Sequence, residues 1–355
     1  MRGGRNAARR AGHGKRVAAR GRAWHEQGMI TRRRLGSGLA GVAVAASPPA
    51  TPARAQQSFQ AFLDGVRQEA RRAGVSQATL NRAFQGLRPN ERVLELDRRQ
   101  AEFTQTWPQY RDARLSPTRI ENGRRAFAEN RATLEAIERR FRVSPRVIVA
   151  IWGLETSYGG FTGNFNVIEA LATLAWEGRR AAFFRAELLA ALRILDAGHI
   201  GFERMRGSHA GAMGHPQFMP TSFERLAVDF DGDGRRDIWD SRPDALASIA
   251  NYLARSGWRE GEAWGFEVAL PPGFDTALSG HQNMRPPREW ARMGVRRASG
   301  AALPPLENEW AVVIPGLARG DDQAFLVGQN FLAIRRYNPS NFYATVVGLL
   351  SDRVA

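Results

Sequence analysis

Two stretches of this 355-residue chain hold residues whose types and spacing could do chemistry. The first is DFDGDGRRDIWD, residues 229–240. Counting Asp229 as position one, acids fall at positions one, three, five, nine and twelve, and Gly234 at six. That is the spacing of a calcium loop, in which the glycine makes the sharp turn. Asp229, Asp231, Asp233 and Asp240 can ligate through side chains, Arg235 through its backbone carbonyl, and Asp237 directly or through water. Asp240 departs from the sensor pattern, where a bidentate glutamate closes the loop. A sensor also pairs two loops, and only one occurs here. The expectation is a structural Ca2+ site, a staple that fixes the walls of a cleft, with no organic cofactor.

The second stretch is PRVIVAIWGLETSYGG, with Glu155 near its end. Ile148, Ile151 and Trp152 lie seven, four and three residues before Glu155, offsets that put all four on one helix face. A carboxylate aligned with an apolar stripe, at a helix end beside glycines, loses solvation and its pKa rises. A carboxylic acid still protonated near neutral pH can donate a proton to a leaving oxygen. The competing reading is a buried glutamate paired with one of the chain's many arginines, and the helix face alone does not choose between them. No second acid is evidently paired with Glu155, because the cluster at 229–240 serves better as metal ligands. A glycosidase working with one carboxyl needs help from its substrate.

The elements that must position these residues read as mostly helical. Phe59, Phe62, Leu63 and Val66 form one stripe, Gly74 reads as a stop, and Ser76 as the next cap. Helical pattern resumes from Thr118 to about Phe141. Ser144 and Pro145 make a helix start, and Gly159-Gly160 its end. Asn166 reads as the cap of one long helical region to about Leu195. Thr221–Glu224 reads as a capping box, and Ser241–Asp244 as a weaker one, opening a helix that Gly257 closes. From about Gly261 the segments WGFEVALPPGF and EWAVVIPG are β-leaning and bounded by prolines. The expected class is mainly α (α+β), with residues 1–55 as a leader, a helical domain at 56–142, a core at 143–260, a small β-containing insertion at 261–320 and C-terminal helices at 321–355.

Composition narrows the partners. The net charge is +16, but residues 1–55 hold twelve Lys and Arg against one acid, which leaves +5 for the rest. So mild an excess argues against nucleic acid and leaves room for an anionic polymer. The chain has no cysteine, hence no disulfide, thiolate zinc site or lipidated N-terminal cysteine. No stretch of the body reaches the roughly 18 apolar residues of a membrane span. MITRRRLGSGLAGVAVAASPPATPARAQQ, from Met29, orders an arginine cluster, a weakly apolar stretch and a small-residue cleavage site. It resembles a twin-arginine export signal, with Met29 as the real start and a periplasmic mature protein beginning near Gln56.

IVAIWGLETSYGG, GSHAGAMGHPQFMPTSFERLAVDFDGDGRRDIWD and ANYLARSGW, in that order, resemble the lytic murein transglycosylases of the B type (the MltB family). SFQAFLDGVRQEARRAGVS, RVLELDRRQAEF, RRAAFFRAEL and RRYNPSNFYATVVGLL extend the likeness to about residues 58–352. The resemblance implies a lysozyme-like catalytic core with a helical N-terminal domain and a small β-containing domain. It implies cleavage of the β-1,4 bond between N-acetylmuramic acid and N-acetylglucosamine in peptidoglycan, leaving a 1,6-anhydro end. Glu155 matches the family's single catalytic glutamate. Ser208, Gln217, Tyr252, Tyr337 and Asn338 match its cleft residues, and Arg179 and Arg180 could meet muramic carboxylates or peptide stems. For these the bland alternatives are a tight turn, half-buried core tyrosines and a solvated helix face. His215 departs from the pattern, standing where the family has glutamine. His209 and His215 lack a third ligand at useful spacing, which argues against a histidine metal site. Glycan strands are the expected partner, with cell-wall synthesis proteins as further candidates and a monomer as the expected state. Two rivals remain open at this point: a lysozyme-type hydrolase, and a calcium-dependent wall-binding protein without activity.

Overall fold

Short helices with explicit starts make up most of the chain in the computed structural model, which describes residues 58–99, 105–177 and 179–355. The expected leader lies outside the described residues. Ser58 caps Phe59–Arg72 by accepting from the Ala61 N–H, and Ser76 caps Gln77–Phe84 by accepting from the Thr79 N–H. Thr106 and Gln109 close a reciprocal capping box at the head of Trp107–Arg114. The first helix buries Phe62, Leu63, Val66 and Ala70, as its stripe requires.

Two expected helices are split. Thr118 to Phe141 becomes Pro117–Glu129 and Arg131–Phe141, because Asn130 leaves helical geometry and turns its amide onto the Ala126 carbonyl at 2.7 Å. Asn166 does cap its helix, accepting from the Glu169 N–H at 3.1 Å, but the region divides into Val167–Glu177 and Ala181–Asp196. At the break Arg179 and Arg180 both pair with the buried Asp97 of the Glu91–Arg99 helix. The capping box expected at Thr221–Glu224 does not form. The helix starts at Pro220, Thr221 bonds Glu187 through its N–H and hydroxyl, and Glu224 holds Arg193. Ser241 caps Arg242–Arg255, as expected.

Two apolar cores organise these helices. One joins Phe59–Arg72, Gln77–Phe84, Val167–Glu177 and Ala181–Asp196 with Met213, Phe218, Phe223 and Ile238. The other surrounds Pro145–Thr156 with Arg131–Phe141, Arg242–Arg255, Gln329–Tyr337 and Asn341–Ser351. Pro145–Thr156 is buried from Val147 to Gly153 without a polar face, which is the signature of a core helix. Phe218, Tyr252 and Tyr337 lie where the two cores meet, with ring centroids 4.5 to 5.8 Å apart.

The β-containing part is a four-stranded antiparallel sheet in the order Arg296–Arg297, Gly265–Ala269, Ala324–Val327, Ala311–Val313. Its alternation is strict. Val268, Val312 and Leu326 face a small core with Trp290 and Val295, whereas Ala311, Val313, Phe325 and Val327 face the helical core. The Ala324–Val327 strand lies past residue 320, so the sheet takes a central strand from the segment expected to be helical. Residues 321–323 carry too little pattern to signal it.

Candidate active site

The end of the Pro145–Thr156 helix is built by two left-handed residues. Ser157 has φ 51° and Tyr158 φ 61°, so the helix stops at Thr156 and not at Gly159-Gly160. Such residues cost about 1–3 kcal/mol each and persist only where the surroundings hold them. Tyr158 supplies the hold. Its ring sits edge-on to Trp152 at 5.8 Å and its hydroxyl donates to the Arg119 carbonyl at 2.9 Å. A Cβ on Gly153 would lie 2.4 Å from that ring, so the glycine inside this helix makes room for the fold-back.

Glu155 is therefore presented at the last turn of a core helix, half-buried. Burial pushes its carboxyl up to about 7, and the hydrogen bond from the Tyr343 hydroxyl, 2.6 Å from Oε1, pulls in the opposite direction. Tyr343 and Tyr337 are raised well above the ordinary tyrosine range, first by burial and then by the charge of Glu155. Tyr110, under a guanidinium from Arg114 at 3.5 Å, is raised by burial and feels the same carboxylate. Tyr343 and Tyr110 were not among the expected site residues. Tyr343 sits in the apolar run FYATVVGLL, three residues after the Ser340 cap, and reads as core.

The structure brings several expected residues towards this end of the helix. Tyr252 and Tyr337 pack together with their rings tilted by 47°, and both hydroxyls are used on backbone carbonyls: Tyr337 on Pro216 at 2.6 Å, Tyr252 on Arg336. Asn338 ends the Gln329–Tyr337 helix beside them. Gln217, at φ 52°, donates its amide to the Thr162 and Gly214 carbonyls at 3.0 and 2.8 Å. Ser208 accepts from the Ala210 and Ala212 N–H groups at 3.2 and 3.1 Å. Both residues thus shape a tight turn. Arg179 and Arg180 are about half exposed and pair with Asp97 on the N-terminal helices, apart from the Glu155 contacts.

The acidic loop gathers a different set from the expected one. Asp229, Asp231 and Asp244 place carboxylate oxygens within 4.8 Å of one another. Asp233 turns to Arg235 at 2.9 Å, Asp240 is captured by Arg204, and Asp237 accepts the Trp239 and Asp240 N–H groups. Asp244 is buried, accepts the Phe230 N–H at 2.7 Å and the Asp237 N–H at 2.8 Å, and has its pKa raised by burial and by Asp231 among its neighbours. Hard carboxylate oxygens so crowded, in a loop turned by Gly232 and Gly234 at positive φ, suit a calcium ion. The substitution of Asp244 for Asp240 follows from the chain path, because the helix capped by Ser241 folds back over the loop.

His215 joins the loop to the Glu155 helix. Its N–H donates to the Ile238 carbonyl at 2.9 Å, and its Nδ1 accepts from the Trp152 indole N–H at 3.0 Å. Burial lowers its pKa, and the neutral ring is the form that can accept.

Comparison with known proteins gives the family and the fold. The transglycosylase SLT domain family matches residues 58–352. The chain is 34% identical over 256 residues to membrane-bound lytic murein transglycosylase B of Escherichia coli (strain K12), covering 70% of this chain and 67% of that one. It is similar to the crystal structure of SltB3 from Pseudomonas aeruginosa in complex with NAG-anhNAM-pentapeptide: 47% identity, TM-score 0.81, 84% of this chain and 80% of that one. It is also similar to the Escherichia coli lytic transglycosylase Slt35 in complex with calcium: 29% identity, TM-score 0.71, 83% of this chain and 92% of that one.

Proposed function

The chain belongs to the transglycosylase SLT domain family, and from that premise we propose how this lytic transglycosylase of peptidoglycan divides its reaction among its own residues. Glu155 is the single acid and base. The observation that carries this is its half-buried carboxyl, lifted to about 7 and held by Tyr343 at 2.6 Å. Near neutral pH about half of the molecules keep the proton. The protonated carboxyl gives it to the glycosidic oxygen between N-acetylmuramic acid and N-acetylglucosamine, and the C1–O bond breaks with its electron pair on that oxygen. The substrate's N-acetyl group stabilises the positive C1. The Glu155 carboxylate then takes the proton of the sugar's own 6-hydroxyl, and that oxygen closes on C1. No water is consumed, and Glu155 ends protonated for the next cycle. Tyr343 supports the ionised stage by donating to Oε1.

Tyr252 and Tyr337 offer ring faces to sugars, because their hydroxyls are engaged with the backbone. Ser208 keeps its O–H proton, and Gln217 its Oε1, for the N-acetyl group. Asn338 extends this wall, and Arg179 and Arg180 keep half of their surface for stem carboxylates. Calcium would be held by Asp229, Asp231 and Asp244. It would offset most of the charge of the three carboxylates and fasten the loop to the Arg242–Arg255 helix. The wall polymer as substrate and the basic leader support export to the periplasm.

Glu155→Gln tests the assignment. The variant is expected to fold and to sediment with peptidoglycan sacculi, but to release soluble fragments at least about a thousandfold more slowly. Cleavage at the parent rate would overturn it.

A further inference from the structure

Phe161 is the most exposed large apolar side chain among the described residues, at 67%. A lone surface phenylalanine is ordinary in itself. This one stands on a backbone tied at both ends. The Phe161 N–H donates to the Thr156 carbonyl at 3.0 Å, one residue from Glu155. The Gly159 N–H donates to the Thr156 hydroxyl at 3.1 Å, and Thr162 accepts from Gln217 at 3.0 Å. Asn164 accepts from Arg206 at 2.9 Å. Gly163, at φ +93°, lies so close to the backbone of Gly207 that a Cβ would sit 2.2 Å from it. The ring is thus carried on a fixed loop between the acid and the Ser208–Gln217 turn.

We propose that Phe161 is a stacking platform for one further pyranose ring of the glycan strand, outside the rings that meet Glu155, Tyr252 and Tyr337. The inference rests on the glycan-cleaving reading of Glu155. A polymer extends past the bond being cut, so an exposed aromatic ring on a tied loop that bonds to Thr156, next to the acid, is placed to meet a neighbouring sugar. Phenylalanine has no hydroxyl to direct, which suits the apolar C–H face of any pyranose and adds affinity only for strands long enough to reach it. Covering the ring on binding recovers apolar area that the free enzyme leaves in water.

The test is binding by calorimetry in the Glu155→Gln background, with a peptide-free murein disaccharide and an octasaccharide as probes. Phe161→Ala is expected to weaken octasaccharide binding about tenfold while leaving the disaccharide unchanged, and Phe161→Trp to restore it to within about twofold. With Glu155 intact, Phe161→Ala should raise KM on long strands and spare kcat. Equal octasaccharide affinity in Phe161→Ala and its parent would overturn the platform. So would an equal loss for both probes, or a loss that Phe161→Trp does not restore, since either marks a folding effect. Cleavage of sacculi by Glu155→Gln alone bears on the acid, so the two claims fail separately.

Discussion

At Glu155 two neighbours set the proton's affinity in opposite senses: burial raises it, and the Tyr343 hydroxyl lowers it by donating to the ionised oxygen. Removing that donor destabilises only the charged form, so Tyr343→Phe should raise the Glu155 pKa further. On the proposed mechanism the reaction needs the protonated acid in the free enzyme, so kcat/KM should fall as pH rises through this pKa. The falling limb, near pH 7 in the parent, is therefore expected to move to higher pH in Tyr343→Phe, with a lower kcat because the carboxylate intermediate loses a partner. A limb that stays put would show that Tyr343 does not touch the working acid. Glu155 was legible in the sequence because an acid in IVAIWGLET has few solvated places to go. Tyr343 was not, since a tyrosine in FYATVVGLL is indistinguishable from core until the fold brings it 2.6 Å from an acid 188 residues away. Tyr252 and Tyr337 were legible as residue types, but not the engagement of their hydroxyls with the backbone.

At the scale of elements, the acidic loop and the Glu155 helix are joined through Ile238, His215 and Trp152, so what holds the loop also steadies the acid. Chelation is expected to lower the Tm of the purified protein by several degrees, and added Ca2+ to restore it. Asp244→Asn should abolish most of that Ca2+-dependent shift, whereas Asp240→Asn, whose carboxylate serves Arg204, should leave it in place. The reverse pattern would return position twelve to the ligand set. The loop itself was readable because its acids and glycine follow backbone geometry. The Asp244 contact was not, because it depends on how a helix folds back over the loop, and the pairing of Asp240 depends on Arg204 from a distant segment. Helix ends show the same division. Caps such as Ser76 and Ser241 are local and are legible in the sequence. The break at Arg179–Arg180 and the stop at Ser157 are settled by partners far along the chain, Asp97 and the Arg119 carbonyl.

Across the whole molecule, a mostly helical, lysozyme-like transglycosylase fold places two apolar cores side by side, and Phe218, Tyr252 and Tyr337 line their junction near the end of the Glu155 helix. The sheet covers the second core with one face and keeps a small core of its own on the other. Helical class and the β-leaning stretch were legible from periodicity; the strand at Ala324–Val327 was not. The central claim is that one carboxyl serves as acid and then as base, with the substrate's own hydroxyl in place of water. Digestion of purified sacculi in heavy-oxygen water, followed by mass spectrometry of the muropeptides, tests it most directly. The expected products end in 1,6-anhydromuramic acid, one water lighter than reducing ends, and carry no heavy oxygen. Reducing ends labelled with heavy oxygen would contradict it.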